Sequence, residues 1–205
     1  MLYKLAHFLR DHIPFIWAFI EEINACLFRF RYRRILDSAL QRVESDTPSR
    51  FKNKYLNEED ITDLSAFFAA QPKEAFQFFN PHPFDTKTLG KLIRNRSFLA
   101  FGVYDGDRLI GYWFLRSFFM GKAYFGKMVD ATCQGQGIGQ QMCLSAMNLA
   151  SSLGMHMYET ISRKNPASLY STMNTLDVKI IREMEDGYLY IEDFPKGTLS
   201  RSEQS

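Results

Sequence analysis

Residues 129–142 read VDATCQGQGIGQQM, and this stretch decides the fold. A strand from Ala123 to Asp130 runs into Gln134-Gly135-Gln136-Gly137-Ile138-Gly139, and from Ile138 onward Met142, Leu144, Ala146 and Leu149 mark a helix by their spacing. Glycines let a backbone turn sharply and bring successive N–H groups toward one point. A helix N-terminus at that point adds partial positive charge. Strand, glycine turn and helix start in that order suit a pyrophosphate. The same spelling also serves a tight turn with no ligand.

Upstream, SFLAFGVY and RLIGYWFLRSFF flank Asp105-Gly106-Asp107, a hairpin signal, and the turn Met120-Gly121-Lys122 adds the third strand of an antiparallel meander. Earlier still, Phe51 to Leu56 reads as a short strand. Asn57 is placed to cap a helix over NEEDITDLSAFFAAQ, and Asp85 opens a second helix, DTKTLGKLIRN. A proline-broken loop holding Asn80, His82 and Phe84 lies between them. Downstream come a turn at Gly154, a strand from Met155 to Ile161 and a helix from about Pro166. Strands from Lys179 to Met184 and Tyr188 to Ile191 follow, and then a polar tail expected to fray.

The glycine loop resembles the acetyl-CoA loop of the GNAT superfamily of N-acyltransferases, Q/R-x-x-G-x-G/A after a strand. Gln134, Gly137 and Gly139 fill its defined positions, and the element order from about residue 50 to 193 follows that family. The resemblance implies an α+β fold, with a GNAT-like mixed, mostly antiparallel central sheet flanked by helices. Residues 1–49 are then an N-terminal helical arm, 50–193 the acyltransferase domain and 194–205 a polar tail. It also implies an N-acetyltransferase moving an acetyl group from acetyl-CoA, as co-substrate, to a primary amine by direct attack in a ternary complex. A small-molecule acceptor, an amino sugar or its nucleotide conjugate, is favoured because the FNPHPF loop offers aromatic surfaces and His82 on the acceptor side. A protein amine as acceptor, or a non-catalytic acyl-CoA-binding or interaction module, are the alternatives.

Carried over residue by residue, the resemblance gives the backbone of Val129 and Ala131 to the pantetheine arm. It gives the N–H groups of Gly135, Gln136, Gly137, Ile138 and Gly139, after Gln134, to the pyrophosphate. Asn165 either caps the following helix or also contacts the pantetheine arm, and Ser168 is the next contact on that face. The family's tyrosine, seven residues after the asparagine, is Thr172 here. Tyr170 is the nearest phenol and the expected acid, although two residues turn a helix by about 200°. Glu159 is the expected base, with His156, Asp130 and His82 as alternatives, and a water chain serves if none does.

The 205 residues carry a net charge of +2, which gives no bulk electrostatic case for nucleic acid as a partner. Three cysteines without zinc spacing imply no metal and a reduced, cytoplasmic setting. Basic residues concentrate in RFRYRR, residues 29–34, within an arm of helical apolar spacing that includes Leu5, Phe8, Leu9, Ile16, Phe19, Ile23, Leu27 and Phe30. The arm either packs on its own domain or a second subunit, making a homodimer, or meets a membrane surface peripherally. A boundary is expected between Glu44 and Arg50.

Overall fold

Alternation of large apolar residues along the meander builds a sheet with two different faces. The structure, a computed structural model, describes residues 14–45, 50–184 and 186–200, and all of their side chains except 14–18. Leu5, Phe8 and Leu9, the middle of the expected boundary and the last five residues of the tail lie outside the described residues.

In chain order the elements are α1 (Pro14–Tyr32), α2 (Leu36–Ser45), β1 (Lys52–Tyr55), α3 (Ile61–Ala69), α4 (Thr86–Arg94), β2 (Phe98–Asp105), β3 (Arg108–Phe118), β4 (Lys122–Val129), α5 (Ile138–Ser152), β5 (His156–Ser162), α6 (Pro166–Thr175), β6 (Asp177–Glu183) and β7 (Tyr188–Phe194). The strands form one seven-stranded sheet in the order β1-β2-β3-β4-β5-β7-β6. Every neighbouring pair is antiparallel except β4 with β5. That parallel pair is joined by α5, as a crossover requires.

One face of β2, β3 and β4 presents Phe98, Ala100, Tyr112, Phe114 and Met128 to Leu64, Phe67 and Phe68 of α3 and Leu89 of α4. The opposite face presents Leu99, Phe101, Trp113, Leu115, Ala123 and Phe125 to α5 and to the two N-terminal helices. Phe101 and Trp113 stack there with ring centroids 4.2 Å apart. The indole N–H of Trp113 donates to Asn53 Oδ1 at 2.9 Å, and Asn53 in turn donates to Ser145 of α5 at 2.9 Å. A buried polar group needs such a partner to avoid a desolvation penalty.

Both N-terminal helices contribute to this same core through Phe28, Tyr32, Leu36, Ala39, Leu40 and Val43. Polar contacts fix α1 against the ends of β2 and β3. Asn24 donates to Ser97 Oγ at 3.1 Å and to the Ser117 carbonyl at 3.0 Å, and Glu21 pairs with Arg116.

Differences from the sequence reading are small. Asn57 caps a 3₁₀ turn, Glu58–Asp60, closed by a reciprocal bond from the Asn57 N–H to Asp60, and the α-helix begins only at Ile61. Strand β7 continues to Phe194, beyond the expected Ile191. The stretch just after it is tied down: buried Asp177 accepts from the Leu199 N–H at 2.9 Å, and Lys196 donates to the carbonyls of Met173 and Leu176 at 2.9 and 3.2 Å. The carboxylate of Asp177 needs donors, and residues 196–199 supply them.

Because Phe28 is fully buried in the principal core, Phe28→Ala is expected to destabilise the protein by about 3–5 kcal/mol. Urea unfolding should still show a single transition, with coincident circular dichroism and fluorescence. A separate early transition for α1, leaving the sheet's midpoint unchanged, would contradict this account.

Candidate functional site

Pairing between β4 and β5 stops early. Lys122↔His156, Ala123↔Met157 and Tyr124↔Tyr158 are the only ladder pairs between these strands, so Phe125 to Val129 and Glu159 to Ser162 run on without backbone pairing to each other. β4 keeps its partner β3 along this whole length, and β5 keeps β7. The sheet is therefore split at one place, between two well-supported strands.

The glycine loop closes the wide end of the split. Asp130 follows β4 and accepts from the Thr132 N–H at 2.8 Å, from the Thr132 hydroxyl at 2.6 Å and from Arg108 at 3.1 Å, which sets a 3₁₀ turn over Ala131–Cys133. The Ala131 N–H donates to Gln71 Oε1 at 3.0 Å. Gly135 and Gly137 have φ of 78° and 81°, a left-handed conformation that side chains with a Cβ adopt only under strain.

Gly137 is the N-cap of α5 and offers no side chain, so the first N–H groups of that helix have no capping acceptor. Gln134, Gly135, Gln136 and Gly137 are exposed, whereas Ile138 is buried and anchors the helix start. The result is an exposed helix start without a side-chain cap and with helix-dipole support, an arrangement suited to an anion.

Helix α6 lies beside this loop. A Cβ on Gly139 would stand 3.3 Å from Cβ of Ser171, so a side chain there would crowd α6. Asn165 caps α6, accepting from the Ser168 N–H at 3.1 Å, with Pro166 in the first turn. Asn165 and Ser168 thus lie in the first turn of the helix whose Ser171 approaches Gly139 of the loop.

Inside the split, on the face covered by α5 and α6, sits a buried polar network. Lys127 of β4 donates to Thr172 Oγ1 at 2.9 Å and pairs with Glu159 Oε2 of β5 at 3.4 Å, while the Thr172 hydroxyl donates to Glu159 Oε1 at 2.9 Å. Burial disfavours the ammonium of Lys127, but its acidic surroundings, Glu159 among them, outweigh that penalty and hold its pKa above the ordinary lysine value. Burial also pushes the Cys143 thiol up. Asp193 of β7 is 3% exposed, and neither carboxylate oxygen has a hydrogen-bond partner in the described structure. Burial, and then Glu159, raise its pKa well above the carboxylate range, with Lys127 acting against them.

Glu159 thus belongs to this network, whereas Tyr170 stands apart on α6 with 67% of its surface exposed. Thr172, at the position the resemblance gives to a tyrosine, is fully buried and joins Lys127 to Glu159. His82 lies in the α3–α4 layer, its Nδ1 2.9 Å from the Pro83 carbonyl and its Nε2 3.3 Å from the Tyr112 hydroxyl, and burial lowers its pKa. It is neutral near pH 7.

The opposite face of β4, β5 and β7 carries groups that sequence reading did not single out. Tyr124, Tyr158 and Tyr190 form an aromatic patch with ring centroids 5.7 to 6.4 Å apart, beside the last ladder pair. Glu192 Oε1 accepts from the Tyr158 hydroxyl at 3.1 Å and lies 2.8 Å from His156 Nδ1. The Lys122 ammonium lies 5.4 Å from the Tyr158 ring centre, so this surface already holds one cation.

The acetyltransferase (GNAT) family model matches residues 63–170. The GNAT domain of S. lividans PAT has a similar fold, with a TM-score of 0.62 at 14% identity over 70% of this chain and 90% of that one. So does yncA from Salmonella typhimurium, solved with its cofactor acetyl-CoA, at 0.59 and 16% over 74% and 97%. The PaiA N-acetyltransferase from Thermoplasma acidophilum, in complex with coenzyme A, gives 0.58 and 16% over 69% and 97%. No curated protein matches the chain.

The network also makes a pH prediction. With its pKa raised, Asp193 stays protonated in the folded state at pH values where the unfolded chain has released that proton. The stability it contributes is complete below the unfolded value of about 3.9 and is lost as pH rises through the folded value. Asp193→Asn should therefore gain stability relative to the native chain as pH increases above about 4, measured by urea unfolding across pH. A difference independent of pH would show that Asp193 titrates normally.

Proposed function

Since the chain belongs to the acetyltransferase (GNAT) family, we propose that it transfers an acetyl group from acetyl-CoA to the primary amine of a small molecule within one ternary complex. The uncapped start of α5 at the mouth of the divided sheet carries this reading. The N–H groups from Gly135 to Gly139 suit a pyrophosphate. The ladder-free edges of β4 and β5 suit the amides of a pantetheine arm, which can hydrogen-bond as a strand does. Val129, Asn165 and Ser168 are the residues assigned to that arm. Ala131 offers only its carbonyl, since Gln71 holds its N–H.

In the reaction the acceptor nitrogen bonds to the acetyl carbon, and the C–S bond breaks with its electron pair passing to sulfur. The proton lost by nitrogen goes to water. The protein's part is to hold the reactants in line and to polarise the carbonyl with backbone N–H groups. Glu159 is engaged by Lys127 and Thr172, and Tyr170 faces solvent, so neither is assigned a proton transfer.

The patch of Tyr124, Tyr158 and Tyr190 with Glu192 supports a cationic, ring-bearing acceptor such as an amino sugar. Ring faces and one carboxylate attract an ammonium, and the flat tyrosine surfaces accept a ring. The rings of the FNPHPF loop support this acceptor less than their sequence suggests. Phe84 packs 4.2 Å from Phe68 and Phe79 packs 6.5 Å from Phe114, so both are largely taken up by the α3–α4 layer.

Isothermal titration with acetyl-CoA, and separately with CoA, is expected to show saturable binding. A screen of amines for thiol release, begun with amino sugars, then identifies the acceptor. Gly137→Asp should abolish CoA binding by placing a carboxylate among the outward N–H groups, while strain at its positive φ lowers stability by only about 1–2 kcal/mol. Undiminished CoA affinity in the folded variant would remove the loop from the site.

A further inference from the structure

Helix α1 has two apolar sides. One holds Phe28 and Tyr32 against the core of the sheet. On the other side Phe19, Ile23, Cys26 and Phe30 follow one another at intervals of four, three and four residues, so they share a stripe on the side opposite Phe28. Phe19 is 66% and Phe30 73% exposed.

The turn between β3 and β4 adds Phe119 and Met120, the latter 75% exposed, and Arg31 of α1 donates to the Phe119 carbonyl at 3.0 Å. Ile23 of the stripe and Phe119 of the turn line one groove, and exposed apolar surface gathered in this way marks an interaction site.

The charge beside it selects the partner. Arg29, Arg31, Arg33 and Arg34 are all exposed at the C-terminal end of the stripe, and none forms an ion pair among the described residues. The Arg33 guanidinium lies 5.5 Å from the Phe30 ring centre, so cation and apolar surface are adjacent. Of the acidic residues of α1, Glu21 is taken by Arg116, leaving Glu22.

A second copy of the chain on this face would bring two clusters of four arginines into one interface, where like charges repel. An anionic surface meets both features at once. Apolar side chains enter the headgroup boundary while arginines meet phosphates. No described helix is long and apolar enough to cross a membrane, which leaves a helix lying in the surface.

We propose that α1, with the Phe119-Met120 turn, docks the protein peripherally on membranes rich in anionic lipid. This inference does not depend on the acetyl-CoA reading. The test is flotation of the full chain with vesicles of phosphatidylcholine alone or with added phosphatidylserine. Binding is expected only to the anionic vesicles and should weaken with salt.

Replacing Arg29, Arg33 and Arg34 together with Ser should reduce partitioning by on the order of a hundredfold, at about a factor of five per arginine. Phe19→Ser with Phe30→Ser should also release the protein although its charge is intact. All five positions are exposed, and unchanged thermal unfolding and circular dichroism would show that these variants keep their fold. Equal flotation with neutral vesicles, or none with anionic ones, would overturn the proposal. So would a dimer in light scattering that the two phenylalanine substitutions abolish, since it would make a second copy the occupant.

Discussion

Three ladder pairs, Lys122↔His156 to Tyr124↔Tyr158, hold the two halves of the sheet together, and the arrangement of the site follows from their number. Were β4 and β5 paired to their ends, the edges facing each other would be satisfied and closed to anything else. Because pairing stops, two strands end apart while each remains fixed by a neighbour on its far side. The glycine loop, which must carry the chain from the end of β4 into α5, is thereby placed at the mouth of the opening. Its left-handed glycines and the buried Ile138 set the direction of the helix start.

Where backbone bonds no longer join the strands, side chains do. Lys127 reaches from β4 to Glu159 of β5 and to Thr172 of α6, replacing ladder bonds by one buried ion pair and one hydroxyl bridge. Such a pair gives little net stability over apolar packing, because both charges are taken out of water. Its geometric effect is plainer: it ties together strands whose ladder pairing has already ended at Tyr124↔Tyr158. Asp193 accompanies this network from β7 without a hydrogen bond, and burial favours its neutral form over an unpaired charge.

Much of this was legible in the sequence because the signals were local. The hairpin at Asp105-Gly106-Asp107, the asparagine caps and the passage from strand through glycines to helix all depend on residues within a few positions of one another, and element order followed from them. Long-range facts were not legible. Glu159 and His156 could be put on opposite faces of β5 by alternation, but which face meets α6 depends on register with β7. Lys127 gave no sign of its partners, which are 32 and 45 residues away. The tyrosine patch combines single residues from three strands, and no window of sequence contains it. Asp193 fell outside the expected strand because its pairing with Met157 and Val178 is what extends β7.

The sheet's connectivity also bears on how the chain folds. Strands β2, β3 and β4 are joined by short turns, so their pairing closes small loops and can form early. Strand β5 cannot take its place until α5 has been laid across the face of that meander, and β7 must insert between β5 and β6 although β6 comes before it in the chain. The narrow β4–β5 junction is therefore a late event, made between two units that have each acquired their own neighbours. A seam assembled last and held by few bonds is also where the native protein should open first, and the amide hydrogen of His156, which donates across it to the Gly121 carbonyl, should exchange before those of the central hairpin.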